Sequence, residues 1–454
     1  MPFDDHPYLS IVCGYPLNPP LIAPAVRPSA CPGLLRIVPA LDGGICRIKL
    51  AGGAITAQQA IALAVAAEHY AAGVIEATNR GNLQIRGIGT QQAPLIQALL
   101  AAGLGPKTAA GDDVRNLMLS PGAGIDPQML VDTRPLAARI LATLEEHEPF
   151  HQLSAKFAVQ LDGGEALAMR EHPHDLWLAA RVYDGEPCWV FGLAGCPAHD
   201  RPVARVTFDD AHALVVAVLE GFLERASPTQ TRMRQLLAEL PLEDFIQALA
   251  KRVPLLPAFE DQPQAVSSTA PIGTYPQGQA DRVAIGAAPV LSRLDANQLK
   301  GVAQLAMKHG DGSLRFTPWQ GLLLPGIHSS AAALVTSGLQ ALGLLCDARQ
   351  PLAQLIACTG SNGCGKGLSD SKRDALQLAA RLSRPLNIHL SGCPRSCAAA
   401  YCAPFTLLAV APGYYDLYFR DEQHAGFGVL HARNLTIEAA GALLDARPRS
   451  STDD

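Results

Sequence analysis

Short runs along the chain alternate apolar and polar residues, and longer runs with helical spacing separate them. Residues 45–50 read Ile-Cys-Arg-Ile-Lys-Leu, an alternation that predicts a half-buried strand with Arg47 and Lys49 on one face. Thr56 then stands as an N-cap before AQQAIALAVAAEHYAA, a helix that Gly73 ends. A strand over 73–77 leads into Thr78-Asn79-Arg80-Gly81-Asn82-Leu83-Gln84-Ile85-Arg86-Gly87-Ile88. The same order returns later: Asp295 caps a helix through Met307, Gly310 ends it, and LRFTPWQGLLLPGI follows. The caps Thr56 and Asp295 and the threonines Thr78 and Thr317 are both 239 residues apart, with Leu83/Leu322, Gly87/Gly326 and Ile88/Ile327 in register. A cap, helix, strand and turn repeated at one offset indicate an internal duplication. Each copy is too small to bury its own apolar face, so residues 30–100 and 285–345 are expected to form one composite domain about a pseudo-twofold axis.

A second α/β unit follows each copy. In the first half the ordinary-looking turn Gly111-Asp112-Asp113 leads through Val114-Arg115-Asn116 into LMLSPGAGID. A helix over 135–146 comes next, then a strand over Lys156-Phe157-Ala158-Val159-Gln160-Leu161 that ends at the hairpin signal Asp162-Gly163-Gly164. In the second half LIACTGSNGCGKG takes the place of LMLSPGAGID, and Ile388-His389-Leu390 is the strand before GCPRSC. The expected divisions are a proline-rich arm and first half-domain over 1–104, a first α/β domain over 105–253 and a linker over 254–282. A second half-domain over 283–347 and a second α/β domain over 348–446 complete the chain, with RPRSSTDD fraying at the end.

Composition narrows the class. The chain has 454 residues, 48% hydrophobic and 17% charged, as befits a soluble globular protein of two to four domains. Its opening has no leader pattern and no apolar run reaches membrane-spanning length, so a cytoplasmic protein without a membrane partner is expected. A net charge of −5 offers no polyanion-binding surface, and nucleic acid is not an expected partner. Eleven cysteines form an odd count that suits metal ligation and buried thiols better than a disulfide framework. Four of them stand apart: Cys358 and Cys364 as C-x5-C, Cys393 and Cys397 as C-x3-C, each pair on a glycine-bearing turn. Four soft thiolates on such wide spacings suit an iron–sulfur cluster, with zinc as the rival, since structural zinc sites favour tighter knuckles.

The blocks TNRGNLQIRGI, FTPWQGLLLPGI and GDDVRN, with C-x5-C followed by GCPxxC, resemble the sirohaem-type nitrite and sulfite reductase superfamily. The resemblance implies an α+β fold: a composite ferredoxin-like domain made by two pseudo-twofold repeats, plus two α/β domains that bind cluster and tetrapyrrole. It also implies that Cys358, Cys364, Cys393 and Cys397 hold a [4Fe-4S] cluster, that Cys397 is the bridging type, and that Arg80, Arg115 and Lys156 are the catalytic, anion-contacting residues. One position departs from the reductase pattern. Where the reductases share a basic-Phe-basic strand, this chain has Lys156-Phe157-Ala158, and fewer fixed charges weaken anion reduction. Within the superfamily the chain looks most like the precorrin-3B synthase branch, on ACPGLLRIVPALDGGICRIKL and CTGSNGCG. That branch implies precorrin-3A and O2 as substrates, a mononuclear non-haem iron with unknown ligands, and an external electron donor, NADH or a separate reductase or ferredoxin. Sirohaem would be a cofactor only in a reductase.

The residues support such a site independently. A tetrapyrrole bearing several carboxylates needs well-spread basic partners, and Arg47, Lys49, Arg86, Arg315 and Arg395 are the expected substrate-binding residues, with Lys366 also available. Glu171-His172-Pro173-His174-Asp175 is chemically suggestive, but Pro173 makes it an irregular loop whose histidines are expected at the surface. His389 is expected to pack in a strand under the cluster loop. LSPGAGID lacks the glycine order of a dinucleotide-binding turn.

Overall fold

The computed structural model describes residues 31–258, 271–421, 424 and 426–447. The expected N-terminal arm lies outside these residues, as does the terminal segment from Pro448.

The duplicated copies build two five-stranded sheets that each borrow a strand. The first sheet runs in the order Val38–Ala40, Gly43–Ile48, Leu83–Ile88, Val74–Ala77 and then Arg293–Asp295 from the second copy. In return, Ala54–Thr56 of the first copy closes the edge of the sheet Gly273–Pro276, Arg282–Ala287, Leu322–His328, Ser313–Phe316. Both exchanged strands are antiparallel to their hosts, with Leu294 opposite Ile75 and Ile55 opposite Leu314. Each runs directly into a capping box, Thr56 with Gln59 and Asp295 with Gln298, so the exchange also sets where the long helices Ala57–Tyr70 and Ala296–His309 begin. Leu63, Ala67, Ile85, Leu299, Ala303 and Ile327 are wholly buried in one shared core. The sharp entry to each exchanged strand uses left-handed backbone, Gly52 and Gly53 in one copy and Leu291 and Ser292 in the other. A Cβ on Gly53 would lie 1.9 Å from the Phe316 carbonyl oxygen, so only glycine fits there.

The first α/β domain carries a six-stranded sheet in the order Leu256–Pro257, Ala204–Val206, Glu186–Gly195, His174–Tyr183, Val159–Asp162, Leu117–Leu119. The second carries Leu355–Ala357, Ile388–Ser391, Phe405–Ala411, Tyr414–Phe419 and Val429–Thr436 in sequence order. Both begin with three parallel strands and continue antiparallel. Each domain has its own core, around Phe150, Trp189 and Phe222 in the first and Phe405, Tyr415 and Leu390 in the second.

Several expectations are corrected. Asp162-Gly163-Gly164 is no hairpin, because Val159–Asp162 pairs in parallel with the strand that follows it. The Gly-Asp-Asp stretch is not a turn but part of the short helix Ala109–Val114, whose N-cap is Thr108. Both ends of the expected linker are strands: Leu256–Pro257 pairs with Ala204–Val206, and Gly273–Pro276 with Arg282–Ala287. Both lie at sheet edges, where proline costs no ladder hydrogen bond, which is why their composition reads as loop. Residues 259–270 are outside the described set. Among the described residues no helix is long and apolar enough to cross a membrane.

Candidate functional site

Cys358 follows the strand Leu355–Ala357, and Cys393 follows Ile388–Ser391 after one glycine. Because these strands are neighbours and parallel, their C-terminal loops emerge side by side. The Gly392 N–H donates to Cys358 Sγ at 3.1 Å, and the Cys358 N–H donates to the Leu390 carbonyl at 3.3 Å. Cys364 is held by its own N–H, which donates to the Gly360 carbonyl at 2.9 Å. Both repeats of the composite domain grip the last loop. Asn79 Nδ2 donates to the Cys397 carbonyl at 3.3 Å and Gln320 Nε2 to that of Ala398 at 2.7 Å. Burial raises the Cys397 thiol above its ordinary range, and the Cys393, Cys358 and Cys364 sulfurs push it the same way, while Arg395 opposes them. The four sulfurs therefore share one electrostatic field. Among the described residues no three His, Cys, Asp or Glu side chains stand close enough to share a single ion. Two cysteine pairs brought side by side on the loops after neighbouring parallel strands suit an iron–sulfur group held by four thiolates.

A group of basic side chains lies near Cys397. The Arg80 side chain is half-buried and makes no hydrogen bond or ion pair among the described residues. Lost hydration lowers its pKa to about 10, and Arg232 and Arg47 add to the fall against Asp175 and Cys31. Arg47 donates to Gln84 Oε1 at 2.9 Å, but its buried Nε has no partner. Burial lowers the Arg47 pKa too, opposed by Cys31 and Cys397. Arg115 lies 3.4 Å from Glu145 and leaves Nη2 buried without a partner. Lys156 is exposed, at the turn before Val159–Asp162. Arg395 and Lys366 are also exposed, on the cysteine loops.

Three residues expected to meet substrate are taken up by the protein itself. Arg86 donates to both Asp42 oxygens at 2.8 and 2.9 Å and to the Gly363 carbonyl at 3.3 Å, tying the first sheet to the Cys364 loop. Arg315 donates to the Pro121 and Ala123 carbonyls at 3.0 and 2.7 Å. Lys49 donates to the Asp112 and Asp113 carbonyls, and burial lowers its pKa to about 8. All three are nearly inaccessible, so each cation requires an internal partner.

The histidines expected at the surface are buried. His172 is 0% and His174 1% exposed, because the acids on either side are drawn inward: Glu171 pairs with Arg420 at 2.9 Å and Asp175 with Arg232 at 2.8 Å. Asp175 also accepts from the Ala158 and Met233 N–H groups at 2.9 and 2.7 Å. His172 stacks on Tyr401 at 5.6 Å, just beyond the last cysteine loop. Burial, then Arg80, lowers His172 to about 3, and the same causes hold His174 well below its ordinary value. His172, His174 and Arg232 adjoin this basic group and were not legible as such; the only signal was the acid on each flank of the His-Pro-His run. His389 lies in the strand under the loop, 1% exposed.

The fold and the cysteine loops define an iron–sulfur protein of the oxidoreductase class. The nitrite/sulfite reductase ferredoxin-like half-domain matches residues 39–103 and 275–342, and the nitrite and sulphite reductase 4Fe-4S domain matches 110–255. The latter match falls on the half whose loops carry none of the four cysteines. Ferredoxin–nitrite reductase of Zea mays is 31% identical over 379 residues, covering 77% of this chain and 67% of that protein. Precorrin-3B synthase of Sinorhizobium sp. is 28% identical over 394 residues, covering 86% of this chain and 82% of that protein. The Mycobacterium tuberculosis NirA structure shares the fold, with a TM-score of 0.74 at 21% identity over 88% of this chain and 79% of that one. The chain belongs to the nitrite/sulfite reductase family.

Proposed function

We propose that the chain oxidises precorrin-3A with O2, placing a hydroxyl on C20 and closing the ring A acetate as a γ-lactone, and so acts as a precorrin-3B synthase of aerobic cobalamin biosynthesis. One oxygen atom enters the product. The other leaves as water with two protons and two electrons from an external donor, NADH or a separate reductase or ferredoxin. The observation that carries this reading is the uncharged surroundings of Ala158. Ala158 is 2% exposed with its N–H committed to Asp175, and the groups beside it are the uncharged imidazoles of His172 and His174. Reduction of a small anion calls for fixed cations that bind it and deliver protons. A polycarboxylate macrocycle calls for several basic partners, and Arg47, Arg80 and Arg115 are available for that role. The near-equal coverage of the precorrin-3B synthase relative, 86% and 82%, supports the same reading.

Cys358, Cys364, Cys393 and Cys397 would hold a [4Fe-4S] cluster, which supplies electrons singly. Among the described residues no set of three His, Cys, Asp or Glu side chains marks ligands for the mononuclear non-haem iron of that branch. A second reading, sirohaem-dependent reduction of nitrite or sulfite, is favoured by the 31% identity to the maize enzyme. Anaerobic purification followed by acid–acetone extraction and mass analysis separates the two. Cluster absorbance without extractable sirohaem, and incorporation of labelled O2 into precorrin-3A, are the expected results. Stoichiometric sirohaem with nitrite or sulfite turnover would overturn the proposal.

A further inference from the structure

Two donors reach the Cys358 sulfur. The Gly392 N–H donates to it at 3.1 Å, and the hydroxyl of Ser371, a wholly buried residue at the start of the helix Ser371–Ala379, lies 3.6 Å away. A Cβ on Gly392 would stand 3.2 Å from Ser371 Oγ and 3.3 Å from Cys358 Sγ, so the three groups are packed against one another. Ser371 Oγ also lies 3.5 Å from the Ser369 carbonyl. A cluster-bound thiolate is charged and has no proton to give, so the sulfur is the stronger acceptor and the hydroxyl is its donor. The next residue, Lys372, is 7% exposed, and its ammonium donates to the Leu291 carbonyl and to Ser292 Oγ at 3.2 Å. Leu291 and Ser292 form the left-handed entry to the exchanged strand Arg293–Asp295. Glu76 Oε1 lies 3.7 Å from Lys372 Nζ and 3.4 Å from Oγ1 of Thr359, the residue after Cys358. The ammonium and the cysteine loop therefore meet at one oxygen. Arg293 and Arg86 also pair with Glu76, at 2.8 and 3.6 Å, and Arg86 pairs with Asp42. Three cations thus face two acids, which leaves one positive charge over beside the Cys358 loop.

We propose that Ser371 and Lys372 are positioning residues that set the reduction potential of the iron–sulfur cluster through Cys358, the hydroxyl by a hydrogen bond to the thiolate and the ammonium by a charge fixed where the two repeats meet. This rests on the cluster assignment above and is independent of whether a macrocycle or a small anion is the substrate. Reduction places one further negative charge on the cluster; the electron comes from the external donor, and none of these side chains gains or loses a proton. A donor to a cluster sulfur and an uncompensated cation nearby both favour the reduced form over the oxidised one, and so raise the potential. Burial strengthens both effects, because charges shielded from water act through a lower dielectric. The strand exchange thereby gains a second role: it sets Arg293 opposite Glu76 and brings the Leu291-Ser292 turn to Lys372.

The test is an anaerobic redox titration of the full-length, substrate-free protein, with the reduced cluster followed by electron paramagnetic resonance. Ser371→Ala should keep the wild-type iron content, while the ratio of reduced to oxidised cluster at a fixed poise falls by up to about tenfold, or about 59 mV for a one-electron couple. Ser371→Thr, which keeps the hydroxyl, should hold the midpoint near that of the wild-type protein. Lys372→Met should lower the midpoint as well, and in that variant Glu76 keeps Arg293 and Arg86 as partners. A purely structural role would change iron content or thermal unfolding and leave the midpoint alone. An unchanged midpoint in Ser371→Ala, or an equal fall in Ser371→Thr, would overturn the proposal and leave the cluster assignment intact. Should Ser371→Ala assemble no cluster, Lys372→Met decides: a lowered midpoint upholds the proposal and an unchanged one overturns it. Wild-type protein without an iron–sulfur cluster would overturn the assignment and this inference together.

Discussion

Two turns related by the duplication have become different things. Thr78-Asn79-Arg80-Gly81 and Thr317-Pro318-Trp319-Gln320 are equivalent in sequence position and share backbone shape, since Gly81 and Gln320 both adopt left-handed angles. The first presents Arg80 to the basic side chains near Cys397. The second presents Trp319 to a small cleft lined by Leu345, Leu355, Ile356 and Tyr401. The loops of the α/β domains diverge in the same way. Ser120 stands after Leu117–Leu119 as Cys358 stands after Leu355–Ala357, yet the Ser120 hydroxyl only donates to the Leu167 carbonyl and accepts from the Gly122 N–H. Duplication thus supplied two equivalent frames, and a few side chains loaded the chemistry into one.

The largest effect that would test this asymmetry is loss of the cluster. Cys397→Ser and Cys358→Ser are expected to abolish the visible cluster absorbance and reduce bound iron to background, whereas Ser120→Ala at the twin position should leave both unchanged. Iron analysis with an absorption spectrum decides it. Retained cluster absorbance in Cys358→Ser would break the assignment of the second half as the redox half.

Next in size is the strand exchange, where the halves should behave alike. Ile55 and Leu294 are equivalent, both 2% exposed, and each is buried in the opposite copy's sheet. Truncating either to Ala is expected to cost about 2–5 kcal/mol, with equal losses in denaturant unfolding. A cost confined to one of them would mean that one copy folds without the other. Smaller again is Arg80→Ala, expected to weaken tetrapyrrole binding about ten- to a hundredfold for a lost charge-assisted contact. Trp319→Leu should shift the unfolding midpoint and leave that affinity unaltered.

How much of this was legible follows from what pattern can carry. The caps at Thr56 and Asp295 and the paired cysteines were visible because local spacing encodes them. The exchange was not, since Ala54–Thr56 and Arg293–Asp295 are three residues long and their pairing is decided by the partner copy. Basic residues on predicted turns could not be sorted. Arg80 and Arg86 lie six residues apart in one motif, yet Asp42 and Glu76 pair with the second while the first makes no ion pair among the described residues. His172 and His174 looked superficial because Pro173 breaks periodicity, while the salt bridges that pull the segment inward involve Arg232 and Arg420, far away in sequence.

The last effect concerns the loop after the middle parallel strand. In the second half it reads Gly392-Cys393-Pro394 and serves the cluster; in the first it reads Gly163-Gly164-Glu165 and buries an acid. Glu165 Oε2 accepts from the Gly163 N–H at 2.7 Å, but Oε1 has no partner. Burial, and then the neighbouring Asp162 charge, raise its pKa to about 8. A carboxyl raised on folding contributes most in acid, and that contribution is lost as pH rises from the ordinary carboxylate range to about 8, at no more than about 1.4 kcal/mol per unit. Glu165→Gln keeps an oxygen for Gly163 and removes the titration. Its unfolding midpoint should therefore gain on the wild-type protein steadily from pH 5 to 8 and run parallel above that. Curves parallel throughout would mean that Glu165 is ionised in the fold, and that the first half's loop is as well supplied with partners as the cysteine loop it mirrors.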